Sequence, residues 1–449
     1  MKVAKFGGTS LASAHQIRKV CHIITGDPER KIIVVSAPGK RFKEDIKVTD
    51  LLIALASKFL KDGQVKEELN DVVVRYREIA EGLELPEHIV YVIEEDLKKR
   101  LAQDTTNQKK FMDSLKASGE DNCAKLVAEY LRTMGYEAHY INPREAGLLV
   151  SNEYSNGQVL PESYERLKKL KNYSGILIFP GFFGYTIDGD LVTFPRGGSD
   201  ITGSILAAAV KADLYENFTD VDSVFSVNPN IVENPKEIKK LTYTEMRELS
   251  YAGFSVFHDE ALVPAFQAKI PVCIKNTNNP NAPGTLIVAE RETTDQPVSG
   301  IACDVGFCSI NISKYLMNRE VGFGRKLLQI LEDEGLSYEH TPSGIDNISV
   351  VLREFDKETE KRIVERIQAE LKVDDIYIQH DLALVMIVGE GMRRSVGITA
   401  RAAKALANVN VNLEMINQGS SEVSIMFGIK ANDADKAVIA LYEEFFKNQ

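Results

Sequence analysis

The chain has 449 residues, 44% of them hydrophobic and 27% charged, enough apolar mass for roughly two to four packed domains and unlike a disordered or fibrous polymer. Its formal net charge of −11 and pI near 5.4 argue against nucleic acid or an anionic membrane surface as the main partner. Cys21, Cys123, Cys273, Cys303 and Cys308 form no C-x-x-C pair, the seven histidines lack metal-ligand spacing, and no apolar run reaches membrane-spanning length. The expectation is a cytoplasmic protein with reduced thiols, no metal site built from side chains, no nucleic acid and no membrane.

Met1 to Phe6 predicts a short strand, Gly7-Gly8-Thr9-Ser10 a tight turn and Leu11 onward a helix. A Gly pair after a strand lets the backbone approach a bound group closely. The N–H groups opening the next helix favour an anion, and Lys5 adds a full positive charge, so the ledge suits a phosphate. It is not a Walker loop, because G-x-x-x-x-G-K-[ST] is absent. Taken alone, it also fits an ordinary strand-to-helix turn.

Lys31 to Ser36 is a continuous apolar run of the kind found in parallel sheets covered on both faces, and Ala37-Pro38-Gly39 ends it. Lys40 to Lys47 is a basic loop, and helix resumes near Thr49-Asp50. Residues 64–117 look like a helical insertion, and Ser118-Gly119-Glu120 opens another helix running to about Met134. Strand, helix and strand follow at 137–141, 162–170 and 175–179, the alternation of a three-layer α/β domain. Phe179-Pro180-Gly181-Phe182-Phe183-Gly184 lies where open α/β sheets place ligands. After the strand 191–193 comes a second Gly-Gly turn, Arg196-Gly197-Gly198-Ser199-Asp200, with Ser199-Asp200 capping a helix over 201–209. The strand 214–218 leads to Thr219-Asp220-Val221-Asp222, helices follow near 243–251 and 260–267, and a strand at 271–275 precedes an Asn- and Pro-rich loop at 276–283. A linker is expected near 290–297.

The last third repeats itself at an offset of 75 residues, from Val321-Gly322 to Val396-Gly397. At that offset Glu339, Gly344 and Ser349 meet Glu414, Gly419 and Ser424, and apolar positions coincide. Each copy reads as a ferredoxin-like βαββαβ unit, which suggests two small regulatory modules that pair sheet edge to sheet edge.

Lys5-Phe6-Gly7-Gly8-Thr9-Ser10, Val35-Ser36-Ala37-Pro38-Gly39, Arg196-Gly197-Gly198-Ser199-Asp200, Thr219-Asp220-Val221-Asp222 and Gly419-Ser420-Ser421-Glu422-Val423-Ser424 occur in the order seen in aspartate kinases. The whole chain resembles that family. The resemblance implies a three-layer αβα amino-acid-kinase domain over 1–292, then two ferredoxin-like ACT domains over 300–378 and 379–449. It implies phosphorylation of the β-carboxylate of L-aspartate with Mg²⁺ and ATP, and a homodimer or homotetramer. The length leaves no room for a fused homoserine dehydrogenase, so the expectation is a monofunctional enzyme.

An aspartate side chain with a pKa near 3.9 is already ionised at neutral pH, so the reaction needs no general base. The barrier is an anion approaching an anion, and the site needs cations, N–H donors and Mg²⁺. Lys5 would neutralise phosphate charge, Gly7, Gly8 and Thr9 would supply N–H groups, and Ser36 a hydroxyl. The resemblance implies that Arg196 takes the α-carboxylate of aspartate and Glu120 its ammonium, with Thr49, Ser199 and Asp200 as further contributors. Asp200 could orient Arg196 or a metal-bound water, and Phe182 would wall the substrate pocket. Thr219 and Asp220 match the nucleotide-binding turn, and Phe225 could stack on the base. In the effector site the resemblance aligns the segment Met317–Gly324, including Phe323 and Gly324, and the strand Ser337–His340, where Glu339 could hold a lysine ammonium. Lysine, with threonine as a possible second effector, is the expected feedback inhibitor.

The chain departs from the family at Ser223, Phe225, Asn228, Asn230 and Ser255, which puts two cationic ATP contacts in doubt and predicts weak ATP affinity. Lys275 or the Lys40–Lys47 loop could compensate. Two other readings compete: a different amino-acid kinase, acting on glutamate or acetylglutamate, and a catalytically weak amino-acid sensor whose ACT pair is the functional part.

Overall fold

The computed structural model describes residues 1–254, 259–292 and 296–447. The chain forms two compact units, one of residues 1–224, 237–246 and 255–291, the other of residues 225–236, 247–254 and 292–449. The expected boundary at 292 therefore misses two excursions. Val227 and Val232 are the reason for the first, since they are buried in one apolar core with Val298, Ile301, Ala383 and Phe427. In the second excursion Leu249 lies against Gly300, where an added Cβ would stand 2.9 Å from its Cδ2.

The first unit is built on an eight-stranded sheet in the order Lys240–Thr242, Thr285–Val288, Val272–Asn276, Leu214–Thr219, Lys2–Phe6, Arg30–Val35, Ile176–Pro180, Ala138–Tyr140. Only Val272–Asn276 against Thr285–Val288 is antiparallel; all other neighbours are parallel. Strands covered on both faces need apolar side chains on both, and Ile32, Ile33, Val34 and Val35 are all fully buried. Ala4, Phe6, Ile33 and Val35 face the helices Ala14–Thr25, Val48–Asp62 and Gln108–Thr133. Helix Gly198–Val210 covers the strands from the other side, which makes three layers. Two polar residues break the apolar rule on that second face: Lys5 and Asn217 are buried and directly paired in register.

The helix expected to open at Ser118-Gly119-Glu120 does not start there. Gln108–Thr133 is a single helix of 26 residues, with Gly119 in its middle. A Cβ at Gly119 would stand 2.8 Å from the Ala37 Cβ and 3.2 Å from Leu52 Cδ1, so the glycine serves close packing rather than capping. Likewise Gly8–Leu11 is a short 3₁₀ turn, and the helix proper begins at Ala14 with Ser13 as its cap.

The second unit carries a five-stranded sheet in the order Asn347–Arg353, Gly300–Ser313, Asp375–Val388, Ser424–Lys430, Met415–Asn417. The repeat is structural: strands 300–313 and 375–388, and helices Phe323–Asp333 and Ile398–Asn408, obey the same offset. Both long strands bend halfway, at Gly306 with φ +86° and at Asp381 with φ +56°. Residues beyond each bend change partners. Cys308, Ile310 and Ile312 pack with Val350, Ile363 and Ile376, whereas Val298 and Ile301 pack with Val385, Phe427 and Leu441. The two ferredoxin-like bodies therefore do not follow one another as 300–378 and 379–449. The opening stretch Gly300–Val305 pairs with Ala383–Val388 and completes the second body, so the first is inserted within it. Among the described residues no helix is long and apolar enough to cross a membrane.

Candidate active site

The site grows from the carboxyl ends of the central parallel strands, where chain reversals leave backbone groups unpaired. Lys5 is the penultimate residue of the strand Lys2–Phe6 and is only 7% exposed. Its Nζ lies over Gly7, 3.6 Å from where a Cβ would stand, and forms an ion pair of 2.6 Å with Asp200 Oδ1. Asn217 Nδ2 donates to the same oxygen at 2.5 Å, and the Tyr215 hydroxyl donates to the Asp200 carbonyl at 3.2 Å. Sequence reasoning missed Asn217; its signal was a lone amide in the buried run Tyr215–Phe218.

Of the three expected ledge donors, Gly7 is already used: its N–H donates to the Phe218 carbonyl at 3.2 Å. Gly8 and Thr9 remain as donors, half-buried and exposed respectively. Gly39 closes the ledge from the side, its N–H donating to the Gly8 carbonyl at 2.8 Å. A Cβ there would stand 2.6 Å from the Gly8 carbonyl carbon, so the backbones touch as only glycine permits. Ser36 is half-buried one peptide past the strand Arg30–Val35, its N–H donating to Phe6 O at 3.2 Å. Thr219 and Asp220 follow Phe218, which stacks on Phe6 at 4.7 Å, so the expected nucleotide turn adjoins the ledge. Ser10 and Thr277 join the two by a hydroxyl pair of 2.7 Å, and Thr277 N–H donates to Thr219 O at 2.9 Å.

Asp200 and Ser199 do not cap their helix as the sequence suggested. The helix starts at Gly198, its N-cap is Gly197 with φ +77°, and no side chain caps it. Both residues thus stand in the first turn, which frees the Asp200 carboxylate for Lys5. Arg196 is exposed just before that turn, four residues from Asp200 in the chain. Phe182 sits at φ +78°, a strained conformation for a non-glycine residue. It is held by Thr202 Oγ1, which accepts its N–H at 3.0 Å and donates to the Gly198 carbonyl at 2.8 Å. Ser199 packs on Gly181, whose added Cβ would stand 2.7 Å from the serine Oγ.

Glu120 is the anomaly of the site. It is 5% exposed, and its Oε2 is buried with no hydrogen-bond partner. Burial pushes its pKa up to about 8, against the opposing pull of the Ala37 N–H and the Lys5 charge. Thr49 lies half-buried in the first turn of Val48–Asp62, whose Val48 and Leu52 press on Gly119 beside it. A buried carboxyl with one unpartnered oxygen and a raised pKa beside a cationic ledge marks a candidate functional group.

Phe225 belongs to the other unit, as do Asn228 and Asn230, whose side chain and N–H form a local turn of 3.0 Å. Lys275 stands in register with Phe218. Lys40 donates to the Lys43 carbonyl at 3.2 Å, and Arg41 is engaged by Asp45 and Glu78. Ser255 lies outside the described residues. No group of three or more His, Cys, Asp or Glu side chains could hold a metal among the described residues.

In the second unit, two expected effector contacts are core residues. Met317 and Phe323 are buried with Leu327 and Leu331 and cannot offer side chains to a ligand. Gly324 is half-buried at the start of Phe323–Asp333. Ser337 is exposed and outside any strand, the expected strand shrinking to a bridge between His340 and Val351. Glu339 is half-buried and already accepts the Tyr251 hydroxyl.

The description of the amino acid kinase family matches residues 1–276, and that of an ACT domain matches residues 385–445. The chain is 61% identical over 448 residues to aspartokinase 3 of Bacillus subtilis (strain 168), covering 99% of both. It superposes with a TM-score of 0.89 on the crystal structure of Clostridium acetobutylicum aspartate kinase, an allosteric enzyme, at 40% identity and covering 99% of this chain and 100% of that one. E. coli aspartokinase III, crystallised with aspartate and ADP and also with lysine and aspartate, shares the fold at a TM-score of 0.79 and 24% identity, 99% of this chain being covered in both cases and 100% and 99% of those chains respectively.

Proposed function

The chain belongs to the aspartate kinases of the amino acid kinase family, and we propose that Lys5, Glu120, Arg196 and Asp200 carry its reaction, transfer of the γ-phosphoryl group of ATP to the β-carboxylate of L-aspartate. The observation that carries this assignment is the buried Glu120 carboxyl, whose Oε2 has no hydrogen-bond partner and which feels the Lys5 charge. It seats the substrate ammonium. Arg196, exposed and free to fork, takes the α-carboxylate. The β-carboxylate then points at the ledge of Gly8 and Thr9, where the nucleotide phosphates lie, with Thr219 and Asp220 beside them. A carboxylate oxygen attacks phosphorus, the bond from phosphorus to the ADP oxygen breaks, and ADP leaves with that electron pair. No proton moves. Lys5 spreads the charge of the transferring oxygens, and Asp200, fixed by Asn217, keeps the ammonium aimed.

The residues fit Mg²⁺ as a companion of the nucleotide. A protein-built cage is absent among the described residues, and Mg²⁺ commonly rests on phosphates, waters and one or two carboxylates, for which Asp200 and Asp220 are the nearby candidates. When bound, the ion neutralises phosphate charge.

Residues 225–236 and 292–449 would form the regulatory unit, built on the paired ACT bodies, with lysine, alone or with threonine, as effector. Supporting this are the near-identical turns before Phe323–Asp333 and Ile398–Asn408, where Val321 and Val396 are fully exposed. The oligomer, dimer or tetramer, would form through the same unit, whose short edge strand leaves Ile416 exposed.

Coupled ADP release with Mg²⁺ and ATP tests the reading. Aspartate should support turnover and glutamate much less, and Lys5→Met should lower kcat by about a thousandfold, with some loss of thermal stability because it removes the ion-pair partner of Asp200. Lysine and threonine should lower activity or shift the melting temperature; no effect of either at millimolar concentration would remove them as effectors. Lysine binding without turnover would favour the amino-acid sensor instead.

A further inference from the structure

The helix Lys66–Gly82 is part of an insertion that has no part in the chemistry derived above. Yet it carries a buried cation. Arg75 is 4% exposed; its Nη1 donates to Asp45 at 2.8 Å and its Nη2 to the Gly39 carbonyl at 2.6 Å. Asp45 is itself 8% exposed and also accepts the Arg41 N–H at 2.8 Å and side chain at 2.9 Å. Gly39, held through its carbonyl, donates its N–H to Gly8, and Pro38 O accepts the Val48 N–H at 3.1 Å. Thr9 N would lie 2.8 Å from a Cβ at Gly39, so this loop fixes the height of both free ledge donors.

A buried ion pair is a poor source of stability, because desolvation offsets much of the attraction. It is a good way to select one backbone conformation among several. The Arg75 side chain spends its donors on one backbone carbonyl and one loop carboxylate, and its Nε is left buried without a partner. Tighter apolar packing would have served stability better.

We propose that Arg75 is a positioning residue for the nucleotide phosphates: it clamps Gly39 against Gly8 and Thr9, and so sets the ledge donors at the distance a phosphate needs. This rests on the reading of the ledge as the phosphate site. Lys40, exposed next to Gly39, is carried to the rim of the ledge by the same clamp.

Three variants of the full chain test it: Arg75→Met, Arg75→Lys, and Arg75→Met with Asp45→Asn. The single Met variant leaves the Asp45 carboxylate with Arg41 alone, removes its buried partner, and should lose thermal stability. The double variant removes both charges and should melt near wild type. In both, KM for ATP should rise by about tenfold or more while KM for aspartate stays within about twofold, because a small misplacement of the ledge weakens phosphate contacts alone. Arg75→Lys keeps the charge but not the planar fork that reaches both acceptors, and should fall between. The inference is overturned if the double variant recovers the wild-type KM for ATP along with its stability, or if both KM values rise together. Lys5→Met is the control for the underlying reading: if it binds ATP like wild type, the ledge is not the phosphate site, whatever Arg75 does.

Discussion

Glu120→Gln should make the ligand-free protein more stable and the enzyme nearly inactive. The folded-state pKa of about 8 stands against an ordinary value of 4.5, so the folded chain holds this proton more tightly than the unfolded chain does. The group's contribution to stability is therefore fully present below pH 4.5, is lost as pH rises toward 8, and changes no further above that. At roughly 1.4 kcal/mol per pH unit, the span amounts to about 5 kcal/mol. Gln has the same shape and no titration, so it escapes that loss. The melting temperature of the variant should exceed wild type by little at pH 5 and by roughly 5–10 °C at pH 8.5. Aspartate should reverse the order, since its ammonium satisfies the wild-type carboxylate and not the amide. Wild-type KM for aspartate should fall as pH rises toward 8, because only ionised Glu120 takes the ammonium. Melting curves across pH, with and without aspartate, and initial rates measure all of this. A stability difference that is flat with pH, or an equal response of both proteins to aspartate, would refute the reasoning.

Thr202→Val keeps the shape of a buried side chain but deletes its bonds to Phe182 N–H and Gly198 O, and should cost about 1–3 kcal/mol. KM for aspartate should rise severalfold with KM for ATP unchanged, and Thr202→Ser should restore it; a matched rise in both would refute the placement of Phe182. Gly322→Ala and Gly397→Ala meet no neighbour within 4 Å and differ from wild type only through backbone strain at φ +83° and +87°. Each should cost about 1 kcal/mol, and the one that also weakens the lysine response identifies the effector-binding copy. Glu120→Asp withdraws the ammonium seat by one methylene and should shift the ratio of kcat/KM from aspartate toward glutamate. An unchanged ratio would show that Glu120 does not set substrate length.

Much of the catalytic unit was legible because its signals are local. The apolar run from Ile32 to Val35 dictates a central strand, the strand Leu214–Thr219 forms where one was expected, and so does the helix Tyr243–Tyr251. The glycine turns also declared themselves, since glycine pairs beside charged residues have few other uses. What failed was non-local. Gly119 looks like a helix boundary in sequence, and only the approach of Ala37 and Leu52 explains it within a helix. Gly7 looked like a free donor, and only its neighbour Phe218, 211 positions away, takes its N–H. The repeat was visible at its offset, yet the exchange of strand halves at Gly306 and Asp381 was not, because a strand's own residues do not say which neighbour it pairs with. Met317 and Phe323 match an effector motif by position, but position does not say which way a side chain turns.

The two acidic groups of the site differ in one respect that orders the whole reaction. Asp200 is saturated at Oδ1 by Lys5 and Asn217, whereas Glu120 Oε2 has nothing. A phosphate arriving at the ledge meets a lysine that already has a partner, so it draws on the ammonium without having to compete for an ion free in solution. An amino acid arriving at Glu120 would meet a buried carboxyl with one unpartnered oxygen, which, once ionised, would hold an ammonium all the more strongly for being buried. On the proposed reading its ammonium would be the strongest handle, and its α-carboxylate would go to Arg196. The β-carboxylate would then have no dedicated cation of its own. That is the property required of a nucleophile that must attack another anion: everything around it is held by opposite charge, and it alone is left to find phosphorus.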